Sequence, residues 1–248
     1  MNWQRNWKPV CKSCARLLRK ASRWPRKLTI YWVRTAAISS KIKAQEVEKV
    51  TREKIQVILV TDGDRVAQKA VETIGQELGL RCISASGGNP TPISGEEIVK
   101  LLSQVPYGPV LVMFDDRGRR DKYKGEQALE YVANHPSVEV IGAVAVASNT
   151  KGCQGVEADA CIARDGQVIA APVDKMGDRE DGRTTAQPAI VQGDTVDVLN
   201  DVEVPVIIGV GDIGKMDKQD DVHKGAPITK RAIIEILERS GISYGRRE

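Results

Sequence analysis

Aromatic side chains are scarce in this chain. They make up 4% of 248 residues, with a single Phe, and all four Trp (Trp3, Trp7, Trp24, Trp32) fall before residue 54. A body without ring platforms for stacking argues against a nucleic-acid partner. Histidine is limited to His135 and His223. Neither has metal-ligand spacing, and His135 falls where a cation favours a helix C-terminus. Five cysteines, an odd number in a long chain, fit a reducing compartment rather than a disulfide framework. Cys11-Lys12-Ser13-Cys14 lacks the second pair that would argue for zinc. Cys82, Cys153 and Cys161 sit in or beside apolar runs as small hydrophobes.

Long apolar runs are also missing. Nothing approaches the roughly 20 residues that span a bilayer; the best stretch, 28–38, is short and broken by Arg34. No clean apolar core precedes a small-residue cleavage site, so a secretory leader is not expected. Any membrane contact is therefore expected to be peripheral.

What is present is divided by charge. Residues 1–54 hold eight Lys and seven Arg against Glu46, Glu48 and Glu53, a net of +12; the whole chain is +4, so the remainder carries −8. The expected organisation is a basic Trp-containing arm over 1–53, one α/β domain over 54–241, and a short tail over 242–248. Within the arm, 12–24 reads as a basic amphipathic helix. Val10, Cys14, Leu17, Leu18, Ala21 and Trp24 recur at spacings of three and four, and Pro25 stops it. Two readings of the arm stand: a helix lying in an anionic membrane surface or holding an acidic partner, or upstream sequence outside the fold, with the start nearer Val47 or Val50.

The body alternates short apolar runs with helical patterns. Strands are expected at 55–60, 81–84, 110–114, 138–147 and 204–210, and helices at 64–78, 94–104, 126–134 and 228–239. Gly79 and Gly241 are placed to end helices, and Ser94 with Glu97 makes a capping box. Asp165-Gly166 is a type I′ turn signal between 158–163 and 167–173, so a β-hairpin interrupts the order. A short helix near 195–200 and a surface loop over 174–187 complete the reading. The fold class that follows is three-layer α/β, with a mostly parallel, Rossmann-like sheet, an inserted β-hairpin and a preceding basic arm.

Three of the apolar runs end in acidic turns: Thr61-Asp62-Gly63-Asp64, Asp115-Asp116, and Gly211-Asp212-Ile213-Gly214. Parallel sheets bind ligands beyond the carboxyl ends of their strands, where these turns fall. Asp62, Asp64, Asp115, Asp116 and Asp212 would repel one another there unless a proton or a cation came between them. Mg²⁺ or Ca²⁺ is the hard cation such oxygens would hold. The plainer reading makes Asp64 a helix N-cap and the others turn residues. The loops at Ser86-Gly87-Gly88-Asn89 and Ser148-Asn149-Thr150-Lys151-Gly152 are placed to offer backbone N–H groups to a carboxylate or phosphate, with Ser148 and Asn149 the candidate binding residues of the second, though neither loop fits a P-loop or G-x-G-x-x-G pattern.

Two family resemblances bear on these residues. The strand-terminal Asp62 and Asp64 resemble the nucleophile and acid/base of the haloacid dehalogenase phosphatases, with Ser148 and Gly211-Asp212…Asp217 matching later motifs. That family's lysine should precede the final acidic strand. Lys215 follows it, Lys175 lies in a loop, and Asp115-Asp116 comes too early. The second resemblance covers far more of the chain. Val57-Ile58-Leu59-Val60-Thr61-Asp62-Gly63-Asp64, Gly87-Gly88-Asn89-Pro90-Thr91, 109–116, Gly125-Glu126-Gln127-Ala128-Leu129, 144–150, 193–200, 209–217 and Gly225-Ala226-Pro227-Ile228-Thr229 together resemble the soluble stage V sporulation protein AE family of endospore-forming bacteria. This resemblance runs from about 54 to 241 and leaves out the arm. It implies a hydrophilic accessory at the spore inner membrane, serving the machinery that moves calcium dipicolinate in sporulation and germination. Its implied partners are the membrane-spanning subunits of the dipicolinate channel, with dipicolinate itself a candidate ligand. It carries no catalytic residues.

Overall fold

The structure, a computed structural model, describes residues 54–117, 123–150, 152–179, 188–193 and 195–245. The basic arm, its amphipathic helix and Cys11-Lys12-Ser13-Cys14 lie outside them, as does most of the loop expected at 174–187.

The central strand is β1 (Ile55–Val60), whose last four residues are buried. It pairs in parallel with β3 (Val110–Met113) on one side and β4 (Val138–Val146) on the other. Seven strands follow the order β2-β3-β1-β4-β9-β6-β7. Here β2 is Arg81–Cys82, β6 Ala160–Ile162, β7 Val168–Ile169 and β9 Ile207–Val210. Only the β6–β7 hairpin is antiparallel within this sheet. It turns through the expected Asp165-Gly166, with Gly166 at φ 84°, and joins the sheet through β6 beside β9. A separate two-stranded sheet, β5 (Val156–Ala158) with β8 (Ala189–Val191), has no sequence forecast behind it.

Helices cover both faces because the strands alternate their side chains between two apolar clusters. Ile58, Val60, Val144 and Ile208 pack against α1 (Arg65–Leu78) and α4 (Pro227–Arg239). Val57, Leu59, Val110 and Val112 pack against α2 (Gly95–Leu102) and α3 (Lys124–Ala133). Each fully buried Ile or Leu contributes about 1.5–3 kcal/mol, so the doubled face is the main source of cohesion. The helix ends follow the local signals. Asp64 accepts N–H groups from Val66 and Ala67, Gly79 closes α1 at φ 70°, and the Ser94/Glu97 capping box is complete.

Several elements are shorter than the sequence pattern implies. The strand expected at 81–84 ends at Cys82, where the chain enters a 3-10 turn at Ser84–Ser86. The helix expected near 195–200 is a 3-10 turn at Asp197–Asp201. In both places polar groups divert the backbone: the Ser86 hydroxyl bonds to the Ile83 carbonyl, and Asp197 accepts N–H groups from Gln154 and Gly155.

After β1 the chain moves toward β2 and β3; after β4 it moves toward β9. The carboxyl ends of β1 and β4 thus flank the point where the winding reverses, which opens a crevice there.

Candidate functional site

The crevice has a volume of about 320 Å³. It is lined from β1 by Thr61, Asp62 and Asp64, from the loop after β2 by Asn89, and from β3 by Asp115. Ser148, Asn149 and Thr150 come from β4, and Asp212 and Lys215 from the turn after β9. Lys175 enters from the loop after the hairpin. No aromatic side chain is among the lining residues, which leaves hydrogen bonds and charge as the means of recognition.

Thr61 closes the floor between the two flanking strands. Its Oγ1 accepts the Val146 N–H at 2.9 Å. Asp62 extends above it with one carboxylate oxygen accepting the Asp64 N–H at 3.2 Å. Burial, the charge of Asp64, and the charges of Asp115 and Asp212 push the Asp62 carboxyl up to about 8, against that single N–H. At neutral pH Asp62 therefore carries a proton.

Asp64 behaves in the opposite sense. Burial works against its charge, but Lys215 and the α1 N–H groups hold its carboxyl below the usual range. Lys215 Nζ donates to Asp64 Oδ2 at 2.7 Å and to Asp212 Oδ1 at 2.9 Å. Burial opposes the lysine's charge too, and the two carboxylates outweigh it, so its pKa is raised. Lys175 approaches Asp212 more loosely, at 3.7 Å.

Glycines set these distances. A β-carbon on Gly63 would lie 2.9 Å from the Gly88 carbonyl oxygen, so the loops after β1 and β2 meet backbone to backbone and bring Asn89 to the rim. A β-carbon on Gly211 would lie 2.6 Å from the Gly177 N and 2.7 Å from the Lys175 carbonyl oxygen. The Asp212 N–H donates to that carbonyl at 2.8 Å, fixing Lys175 beside the turn after β9.

The five grouped aspartates divide. Asp62, Asp64, Asp115 and Asp212 line the crevice. Asp115 also accepts the Arg117 N–H at 2.9 Å, and its own N–H donates to Thr91 Oγ1. Asp116 turns away to the start of α3, accepting the Gly125 and Glu126 N–H groups at 2.6 and 2.7 Å. Among the described residues no group of three or more His, Cys, Asp or Glu side chains converges as metal ligands. Lys215 supplies the ammonium that faces Asp64 and Asp212 across the crevice.

The two loops divide as well. Asn89, Ser148 and Asn149 reach the crevice. Ser86 is fully buried beneath it: its hydroxyl donates to the Ile83 carbonyl and accepts the Met113 N–H, joining the turn to β3. Gly87 and Gly88 act through close packing, against Gln68 and Pro92 respectively. Sequence reasoning gave Thr61 no site role, placed Thr150 only within the anion-holding loop, and discounted Lys175 and Lys215. The proximity of Lys215 to Asp212, three residues apart, was the available signal. A second hollow of about 290 Å³ shares Ser148, Asn149, Thr150 and Lys175 and continues to Cys153, Asp174 and Gln192.

With this geometry described, the family can be assigned. The profile of the stage V sporulation protein AE1 family matches residues 56–240, which is most of the chain and all of the sheet but the first residue of β1. The chain belongs to that family. No curated protein and no solved structure matches it. The stage V sporulation protein AE1 match encloses every crevice residue from Thr61 to Lys215. The dehalogenase alternative gains nothing from the site. Lys215 follows the last strand and pairs with Asp64 and Asp212, and Asp217 is exposed outside the crevice.

Proposed function

We propose that the protein acts in sporulation as a non-enzymatic module of the spore inner-membrane machinery for calcium dipicolinate, held at the membrane by spanning subunits and offering its crevice to a small polar ligand. The observation that carries the role is the family match over 56–240. Membrane-spanning partners are part of the proposal because, among the described residues, no helix is long and apolar enough to cross a membrane. The ligand reading rests on the crevice's position at the reversal of winding and on its polar lining. The arm at 1–53 is assigned to peripheral membrane contact, on its net positive charge and amphipathic pattern.

Calorimetric titration of the full chain with dipicolinate, Ca²⁺, Mg²⁺ and the calcium chelate tests the ligand reading. Saturable heat that is lost in Ser148→Ala or Asp212→Asn supports a crevice ligand. Flat titrations with all four probes reject it and leave a purely protein-binding role. Co-purification of spore membrane subunits with the tagged protein tests that role separately.

A further inference from the structure

We propose that residues 215–218 form a strained latch, held across the crevice by the Lys215 ammonium and released locally when that tether is lost. The inference rests on backbone geometry and burial. Met216, Asp217 and Lys218 are three consecutive non-glycine residues at φ 41°, 52° and 68°, in the left-handed region where a β-carbon meets the following carbonyl. Strain of this kind persists only where surrounding contacts over-determine it.

Those contacts are few. The base of the loop is fixed: the Gly214 N–H donates to Asp220 Oδ2 at 2.9 Å. Asp220, fully buried, also accepts the Ile228 and Thr229 N–H groups and the Thr229 hydroxyl at the start of α4. Above that base, successive side chains must face opposite ways. Lys215 reaches out to Asp64 and Asp212, while Met216 is 1% exposed in the core beside Ile213. The left-handed turn is what permits this reversal. Asp217, Lys218 and Gln219 are exposed, and the Lys224 ammonium reaches the Lys218 carbonyl only at 3.4 Å.

The strain of three residues is comparable in size to what one partly exposed ion pair and one buried methionine return. The closed and released forms therefore lie near one another in free energy, as a switching element requires. Gly214, already at φ 72°, supplies the hinge. In the closed form the crevice mouth presents an ammonium. In the released form it presents the Asp64 and Asp212 carboxylates, so the latch sets the charge that an entering molecule meets.

Amide hydrogen exchange of the full chain tests this directly and does not depend on whether the crevice binds anything. The reporters are the Lys215, Gln219 and Asp220 amides, whose bonds to the carbonyls of Asp212, Met216 and Lys215 lie within the loop. Lys215→Met is expected to speed their exchange roughly five- to tenfold while β1, β4 and β9 amides stay unchanged. Raised salt should do the same to the wild type but not to the variant. Lys218→Gly, which relieves strain, is expected to slow the same amides roughly fivefold. Unchanged exchange in Lys215→Met, or equal acceleration throughout the sheet, overturns the proposal. Should that variant not fold, unchanged or faster exchange in Lys218→Gly overturns it alone.

Discussion

Gly63 and Gly88 come so close that a β-carbon on the first would sit 2.9 Å from the carbonyl oxygen of the second and 3.3 Å from the Asp115 β-carbon. None of these atoms is the free end of a flexible side chain. Gly63→Ala is therefore expected to destabilise the domain by about 1–3 kcal/mol and to displace Asn89. Gly241→Ala is the comparison: its φ of 67° carries conformational cost, but nothing lies within 4 Å, so about 1 kcal/mol is expected. Urea unfolding of the two variants measures the difference; equal losses would remove the close approach as a constraint.

Asp62 gives the domain a pH dependence of known sign. Burial and the neighbouring acids push its folded carboxyl up to about 8 from the ordinary 3.8, so the folded state keeps a proton that the unfolded chain releases. This contribution is complete below about pH 4 and is lost as pH rises to about 8. At about 1.4 kcal/mol per pKa unit, its ceiling is roughly 6 kcal/mol. Asp62→Asn should flatten stability across that window and exceed the wild type at pH 8. Thermal melts from pH 5 to 8.5 supply the comparison, and parallel curves for the two proteins would contradict the assignment.

Lys215 and Asp64 predict the reverse slope in acid. Asp64 is held below its ordinary value in the folded state, so its contribution is present above about pH 4 and disappears as pH falls through the folded value. The lysine side chain is 41% exposed, and screening limits the pair to about 1 kcal/mol. Lys215→Met should cost about that much at pH 7, cost little in strong acid, and raise the Asp64 midpoint in a carboxyl NMR titration.

Asp116 and Asp220 separate structural acids from crevice acids. Both are fully buried and each accepts more than one backbone N–H at a helix start. Asp116→Ala and Asp220→Ala leave those donors without partners, an expected loss of about 2–4 kcal/mol each. Asp212→Asn, at the crevice rim, should cost about 1 kcal/mol or less. Denaturant midpoints rank the three. A ranking with Asp212 first would mean that the crevice acids carry the fold.

The contrast explains what could be read in advance. Strand β1, helix α1 with its Asp64 and Gly79 ends, the Ser94/Glu97 box and the Asp165-Gly166 hairpin were legible because each is set within a few residues of chain. The crevice was legible in outline, since strand ends in a parallel sheet converge wherever the strands lie in order. Which acids face it was not. Asp115 and Asp116 are adjacent and chemically alike, yet Asp115 lines the crevice while Asp116 accepts N–H groups at the start of α3. It does so because Gly125 lies against the Asp115 carbonyl, where any β-carbon would collide. The β5–β8 pair was missed for a related reason, as its partners lie across a long connection and each is three residues long. Lys215 was set aside because its place in chain order differed from a familiar pattern, while its place in space is decided by a left-handed turn that no propensity foretells.

The ammonium that neutralises Asp64 lies 151 residues further along the chain. During synthesis, then, the first acidic turn leaves the ribosome well before its counter-charge exists. β9 must also enter beside β4 before the turn carrying Lys215 can reach Asp64. A chain ending before β9 lacks both Asp212 and Lys215. The charge balance at the crevice mouth is thus a long-range product of the fold, complete only with β9 seated beside β4.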